Sequence, residues 1–267
     1  MHEGTSASAH EPCASLPTLI FTHGGFCDRH DWDVVIERLR LRYTTLSFDL
    51  PGHGASKRSG DASIGAFAEA VNEVRRQCGK TAVLIGHSAG CRVVLEAVHQ
   101  RPDGVAGVIL LDAGQLLGQG DPAEAVRAFS EMLDQVGFTA LMRAGFEQAT
   151  ATADVTDRER IIARLMAHDP QLGRDFLLSA VAWDAGRAAS VIAGINAPLL
   201  IVEAIGALEA KEARPSPWSQ LVLGHAREAS LCCAPGGHFV MLEHPDLVSE
   251  HIDRFALSLV KAAPSSP

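Results

Sequence analysis

No stretch of this 267-residue chain approaches the roughly 20 consecutive apolar residues that a membrane-spanning helix needs. Its first 15 residues are small and polar, without the basic start and apolar run of a secretory signal, so a soluble, cytoplasmic protein with no membrane partner is expected. Basic clusters are missing too. Lysine and arginine number 23 against 32 aspartates and glutamates, for a net charge of −9, and no run of them could replace phosphate counterions, which excludes a nucleic-acid partner. The six cysteines show no disulfide framework, and the adjacent Cys232 and Cys233 are poorly placed to bridge each other. The twelve histidines include no H-E-x-x-H, and no Cys/His spacing suggests zinc, so a metal is not required. No internal repeat is evident.

What the chain has is apolar content, 47% of its residues, enough for one large domain or a domain carrying an insertion. Short apolar or β-branched runs at 18–22, 43–48, 81–85, 105–111, 198–202 and 228–233 read as buried strands. Helical patterns near 31–41, 62–78, 89–100, 215–225 and 245–261 alternate with them. The alternation predicts an α/β fold, a doubly wound, mostly parallel sheet of about six strands with helices on both faces. Right-handed crossovers then bring every strand's carboxyl end to one edge, where chemistry is expected.

Between about 115 and 195 the alternation stops and helical segments follow one another. Asp121-Pro122-Ala123-Glu124 is a good helix start, with an acid at the N-cap and proline at the first helical position. Phe129, Met132, Leu133, Phe138, Leu141, Met142, Phe146, Leu165, Met166, Phe176, Leu177 and Trp183 supply apolar faces, most simply for packing between these helices. The expected organisation is a flexible arm (1–15), a core in two pieces (16–114 and 196–262), an inserted helical cap (115–195) and a frayed tail (263–267).

Gly86-His87-Ser88-Ala89-Gly90 joins the apolar run 82–85 to an amphipathic helix. The pattern G-x-S-x-G arises by chance in about one chain of this length in ten, but the strand-to-helix context makes it a nucleophile elbow. The flanking glycines let strand and helix approach without a Cβ clash, and the serine hydroxyl is presented at the strand's carboxyl end.

Acyl transfer by serine also needs a base, an acid that orients the base, and donors for the oxyanion. His238, in the glycine-rich loop Pro235-Gly236-Gly237-His238 after the last strand, is the candidate base. Asp112, ending the strand 105–111, is a candidate acid. The N–H groups of Ala89 and of Gly25, in His23-Gly24-Gly25-Phe26, are the candidate oxyanion donors. His23 reads first as a loop hydrogen-bonding residue and second as a contact to substrate.

These motifs resemble those of the α/β-hydrolase superfamily: His23-Gly24-Gly25, the loop Asp49-Leu50-Pro51-Gly52-His53-Gly54-Ala55-Ser56, the elbow, and Gly237-His238, in this order over about residues 16 to 260. The resemblance implies a Ser-acid-His hydrolase with a helical cap over its pocket and no cofactor, and structural roles for Asp49 and His53 at the floor of the site. Two departures stand out. The usual N-terminal hairpin has no counterpart in residues 1–15. The commonest position of the family's acid, in a Gly-x-x-Asp turn after the strand 198–202, is held here by Ala207, which favours Asp112, a position used by some branches. Glu203 and Glu209 remain contenders, with Asp184 behind them.

The function expected is hydrolysis of a carboxylic ester or lactone of a small to medium, largely apolar small-molecule substrate through an acyl-enzyme on Ser88. Phe26 and Trp183 are the expected pocket walls. A cofactor-independent dioxygenase or carbon–carbon bond hydrolase using the same three residues is the alternative, and a catalytically weak hydrolase-like ligand receptor a further one.

Overall fold

The computed structural model describes residues 16–262 apart from 57–59, 80 and 207–212. The expected arm 1–15 and tail 263–267, and with them Ala207 and Glu209, lie outside the described residues. Six strands, β1 (Thr18–Thr22), β2 (Thr45–Ser47), β3 (Ala82–His87), β4 (Val105–Leu111), β5 (Leu199–Ala204) and β6 (Ala229–Ala234), form one sheet in the order β2-β1-β3-β4-β5-β6. Every pairing within it is parallel. The order reverses between β1 and β3, which places a crevice at their carboxyl ends, the position where open α/β sheets bind ligands.

The side chains of each strand alternate between two cores, as a period of two requires. Ile20, Leu84, Val108, Leu110 and Ile201 face one side, packed under α2 (Ile64–Arg76) and α3 (Ala89–Gln100). Leu19, Phe21, Val83, Ile85, Ile109 and Val202 face the other, under α1 (Asp33–Leu39) and Ile252 and Ala256 of the C-terminal helix. Helix α3 is buried from Gly90 to Val98, so it takes apolar residues around most of its circumference.

Five helices intervene between β4 and β5: α4 (Pro122–Val136), α5 (Phe138–Ala149), α6 (Val155–Ala167), α7 (Pro170–Gly186) and α8 (Ala188–Gly194). The start of α4 is the one its sequence calls for, with the Asp121 side chain accepting the Glu124 N–H at 3.0 Å and Pro122 in the first turn. Phe176, Leu177, Ala180 and Trp183 of α7 join the core on the α2–α3 side, so the inserted helices and the sheet share one apolar interior. After β5 come α9 (Pro217–His225), β6, the short α10 (Val240–Glu243) and α11 (Pro245–Ala262). Among the described residues no single helix is long and apolar enough to cross a membrane.

Candidate active site

Ser88 lies between β3 and α3 with φ 54° and ψ −126°, a conformation costing a non-glycine residue of order 1–3 kcal/mol. The tightness of the turn is visible at its glycines. A Cβ on Gly86 would stand 2.5 Å from the carbonyl oxygen of Gly90, and one on Gly90 would stand 2.5 Å from that of His23. Strand and helix close onto each other only because both positions lack a side chain.

The Ser88 hydroxyl is 2.8 Å from His238 Nε2, and His238 Nδ1 is 2.5 Å from Asp112 Oδ2. With Nδ1–H donating to the Asp112 carboxylate, Nε2 is left to accept the serine proton. The second oxygen of Asp112 accepts the Ala204 N–H at 3.0 Å, which fixes the carboxylate plane. Asp112 itself has φ 37° and Phe26 φ 62°; with Ser88 they are the non-glycine residues of positive φ among those described. All three cluster at one sheet edge. Such strain persists where surrounding structure over-determines it, as at functional sites.

The loop bearing His238 is held from three sides. Gly206 and Gly236 exchange backbone hydrogen bonds of 2.9 and 3.1 Å. The N–H of Gly237 donates to both oxygens of Glu243, at 3.1 and 3.0 Å. From below, His87 donates its Nε2–H to the His238 carbonyl at 2.8 Å, its ring 4.7 Å from the His238 ring. His87 is fully buried; burial, then the His238 neighbour, holds its pKa well below the usual histidine value.

Gly24 to Cys27 form a turn closed by the Cys27 N–H to the Gly24 carbonyl at 3.3 Å. A Cβ on Gly25 would lie 3.7 Å from the Ala89 Cβ, so the turn runs alongside the start of α3, where the first N–H groups have no intrahelical acceptor. The same hypothetical Cβ would stand 2.7 Å from Phe176 Cε1. Aromatic rings fill the space above: Phe26 lies 5.8 Å from Phe138, 5.9 Å from Phe146, 6.3 Å from Phe176 and 5.1 Å from His168.

Two of the expected substrate contacts, His23 and Trp183, are engaged by the protein itself. His23 is fully buried, with Nδ1–H donating to the Gly24 carbonyl at 2.7 Å and Nε2 accepting the Leu50 N–H at 3.0 Å. Both ring nitrogens are committed to backbone, so it splices two loops. Trp183 is buried against α3, its indole N–H donating to Glu96 at 2.7 Å. Phe26, in contrast, sits in the ring cluster next to Gly25.

The other acid contenders among the described residues have partners of their own. Glu203 accepts the Ser216 N–H at 2.8 Å and the hydroxyls of Ser216 and Ser219, which tethers the start of α9. Asp184 pairs with Arg92. Asp49 accepts the N–H groups of Arg29 and Ala55, both at 2.9 Å, and so joins two loops behind the site. His53, also in the floor, is buried with Nδ1 3.1 Å from the Pro51 carbonyl. The sequence reading missed His87, Arg92 and Glu243. The signal available for Arg92 was a charged residue one helical turn after the serine in a helix that from Cys91 to Val98 is apolar but for Arg92 and Glu96.

Comparison with known proteins agrees with the fold. The model of the alpha/beta hydrolase family matches residues 19–251. A 2-succinyl-6-hydroxy-2,4-cyclohexadiene-1-carboxylate synthase of Escherichia coli O1:K1 / APEC is 37% identical over 103 residues, covering 36% of this chain and 38% of the synthase. The match thus spans under two fifths of that curated relative's length. Among solved structures, a hydrolase from Pseudomonas aeruginosa PA01 aligns with a TM-score of 0.72 at 21% identity, over 94% of this chain and 92% of its own. A thermophilic esterase from Thermogutta terrifontis aligns with a TM-score of 0.73 at 20% identity, over 91% and 90%. At these identities the structural likeness speaks for the fold.

Proposed function

Because the chain belongs to the alpha/beta hydrolase family, we propose that it is a serine hydrolase that cleaves a carboxylic ester or lactone through an acyl-enzyme. What carries the reading is the unbroken hydrogen-bonded chain from the Ser88 hydroxyl through His238 to Asp112. Ser88 attacks the carbonyl carbon while His238 Nε2 takes its proton; Asp112 keeps the imidazole in that tautomer and stabilises the imidazolium. The oxyanion rests on the N–H groups of Gly25 and Ala89, each worth about 2.7–4 kcal/mol of transition-state stabilisation. His238 returns the proton to the leaving alcohol and then activates the water that releases the acid. Helices α4–α8 act as the cap, and the rings of Phe26, Phe146 and Phe176 favour an apolar substrate of small to medium size. The site works in the cytoplasm on a small molecule, with no cofactor.

A second reading has His238 abstract a carbon-bound proton, with Ser88 in support and no acyl-enzyme. The similarity to a synthase rather than a hydrolase favours it. One screen separates the two: wild type and Ser88→Ala against p-nitrophenyl esters, lactones and enolisable ring ketones, with fluorophosphonate labelling read by mass spectrometry. The proposal expects an adduct on Ser88 and ester or lactone turnover that the alanine variant loses. Ketone consumption with neither adduct nor ester turnover replaces it with the second reading.

A further inference from the structure

Arg92 and Asp184 form an ion pair whose side chains are 2% and 0% exposed. The pair is bidentate: Arg92 Nε donates to Asp184 Oδ1 and Nη2 to Oδ2, both at 2.8 Å. The remaining capacity of both groups goes to one short stretch of backbone. Arg92 Nη1 donates to the Ala113 carbonyl at 3.1 Å and Nη2 to the Gln115 carbonyl at 2.7 Å, while Asp184 Oδ2 accepts the Leu117 N–H at 2.7 Å. The Trp218 ring, 5.4 Å from the guanidinium carbon, closes the other side.

That stretch leaves β4 directly after Asp112 and leads into α4. Among the described residues no backbone–backbone hydrogen bond reaches 113–117; its Leu116 and Leu117 pack against the core, and the ion pair supplies the polar anchors of its backbone. The stretch also touches the base: a Cβ on Gly114 would stand 3.5 Å from His238 Cε1. Asp112, at its head, holds a left-handed φ of 37°, uncommon for a residue other than glycine. A buried ion pair is a poor way to gain stability, since desolvation of two charges offsets most of their attraction. Its planar fork of donors is, however, a good way to fix carbonyls in one arrangement.

We propose that the Arg92–Asp184 pair is a brace for the acid, positioning residues that set the path of 113–117 and thereby hold the Asp112 carboxylate against His238. The brace joins three parts that must agree: the helix carrying the nucleophile's turn, the strand end carrying the acid, and the inserted helix α7. The inference rests on the reading of Asp112 as the acid of the site.

The test uses the full chain in three variants. Arg92→Lys keeps the charge beside Asp184 but cannot reach both carbonyls. Arg92→Met/Asp184→Leu removes both charges together, so no unpaired ion is left buried. Arg187→Gln is the control, since it breaks another link to α3, Arg187 Nη2 to Glu96 at 2.8 Å, and the side-chain hydrogen bonds of Arg187 go to Glu96 rather than to 112–117. Two readouts are taken, kcat and KM on p-nitrophenyl butyrate and the downfield proton resonance of His238 Nδ1–H, assigned by its loss in Asp112→Asn.

For Arg92→Lys and the double variant we expect kcat to fall by about a hundredfold, the cost of an ångström-scale misplacement, with KM little changed. The downfield resonance should move or broaden in both while thermal midpoints of unfolding stay near wild type, and the control should match wild type throughout. A wild-type resonance and a wild-type kcat in Arg92→Lys overturn the brace, even where the double variant does not fold. If wild type turns over no ester, the proposed function falls, yet the resonance still decides the brace.

Discussion

Lowering the pH from 7.5 to 5 should destabilise the fold through its buried histidines, by an amount that the hydrogen bonds allow one to work out. A second proton has nowhere to go on His23, His53 or His87. On His23 it would displace the Leu50 N–H; on His87 it would fall on Nδ1, and on His53 on Nε2, both buried without an acceptor. Burial lowers the pKa of all three, and in His53, where His23 and His168 nearby add to it, down to about 3.

The sign follows from comparing the folded and unfolded chains. Above the unfolded value near 6.5 both states are neutral and pH has no effect. Below it the unfolded chain gains protons that the folded one refuses, so stability falls until the folded pKa is reached. For His53 the loss between pH 7.5 and pH 5 is about 2 kcal/mol, at a limiting slope of about 1.4 kcal/mol per pH unit. His23 and His87 add losses of the same sign, against a total stability of about 5–15 kcal/mol for a typical domain. For His53 alone a drop in thermal midpoint of about 4–8 °C follows. Unfolded carboxylates, near 4, also take up protons by pH 5, so the difference between wild type and His53→Gln isolates this histidine. Urea unfolding at half-unit steps should report a proton uptake at pH 5 that is smaller by about one in His53→Gln. An unchanged slope in that variant refutes the reasoning.

The sheet was readable because most of its strands are buried on both faces, and such strands are written as continuous apolar runs; 18–22 and 105–111 match β1 and β4 residue for residue. Where the reading stopped short, side chains elsewhere were the cause. The run 81–85 ends at Gly86, which reads as a turn, yet β3 continues to His87 because Leu111 pairs with it. The run 43–48 shrinks to Thr45–Ser47, and Tyr43 turns its hydroxyl to Asp253 at 2.7 Å, 210 residues away. The same limit governs the site. Ser88, Asp112 and His238 each follow the carboxyl end of a strand, so topology alone brings them to one edge. The commitments of His23 to Leu50 and of Trp183 to Glu96 are made across the fold, and nothing local to either residue announces them. Arg92 and Glu96 did announce something, as two charges in a helix otherwise apolar from Cys91 to Val98. Charges there must be paired, though the sequence does not say with what.

Gly25→Ala should lower kcat on a p-nitrophenyl ester with a smaller effect on KM, because the new methyl meets Phe176 2.7 Å away and displaces the proposed oxyanion donor; restored kcat in Gly25→Ala/Phe176→Leu would support that cause, and a single variant of full activity would refute it. The assignment of the acid makes the sharpest pair of outcomes. Asp112→Asn leaves the side chain's shape but presents an amide to His238 Nδ1, favouring the tautomer that cannot accept the serine proton, so kcat should fall by up to about 10⁴. Glu203→Gln breaks the tether of α9 at Ser216 and Ser219 and should lower the thermal midpoint while leaving kcat within about tenfold, since Glu203's hydrogen bonds go to that helix and none goes to His238. If the two variants exchange these phenotypes, the 2.5 Å contact between Asp112 and His238 is structural and the acid of this site lies on β5.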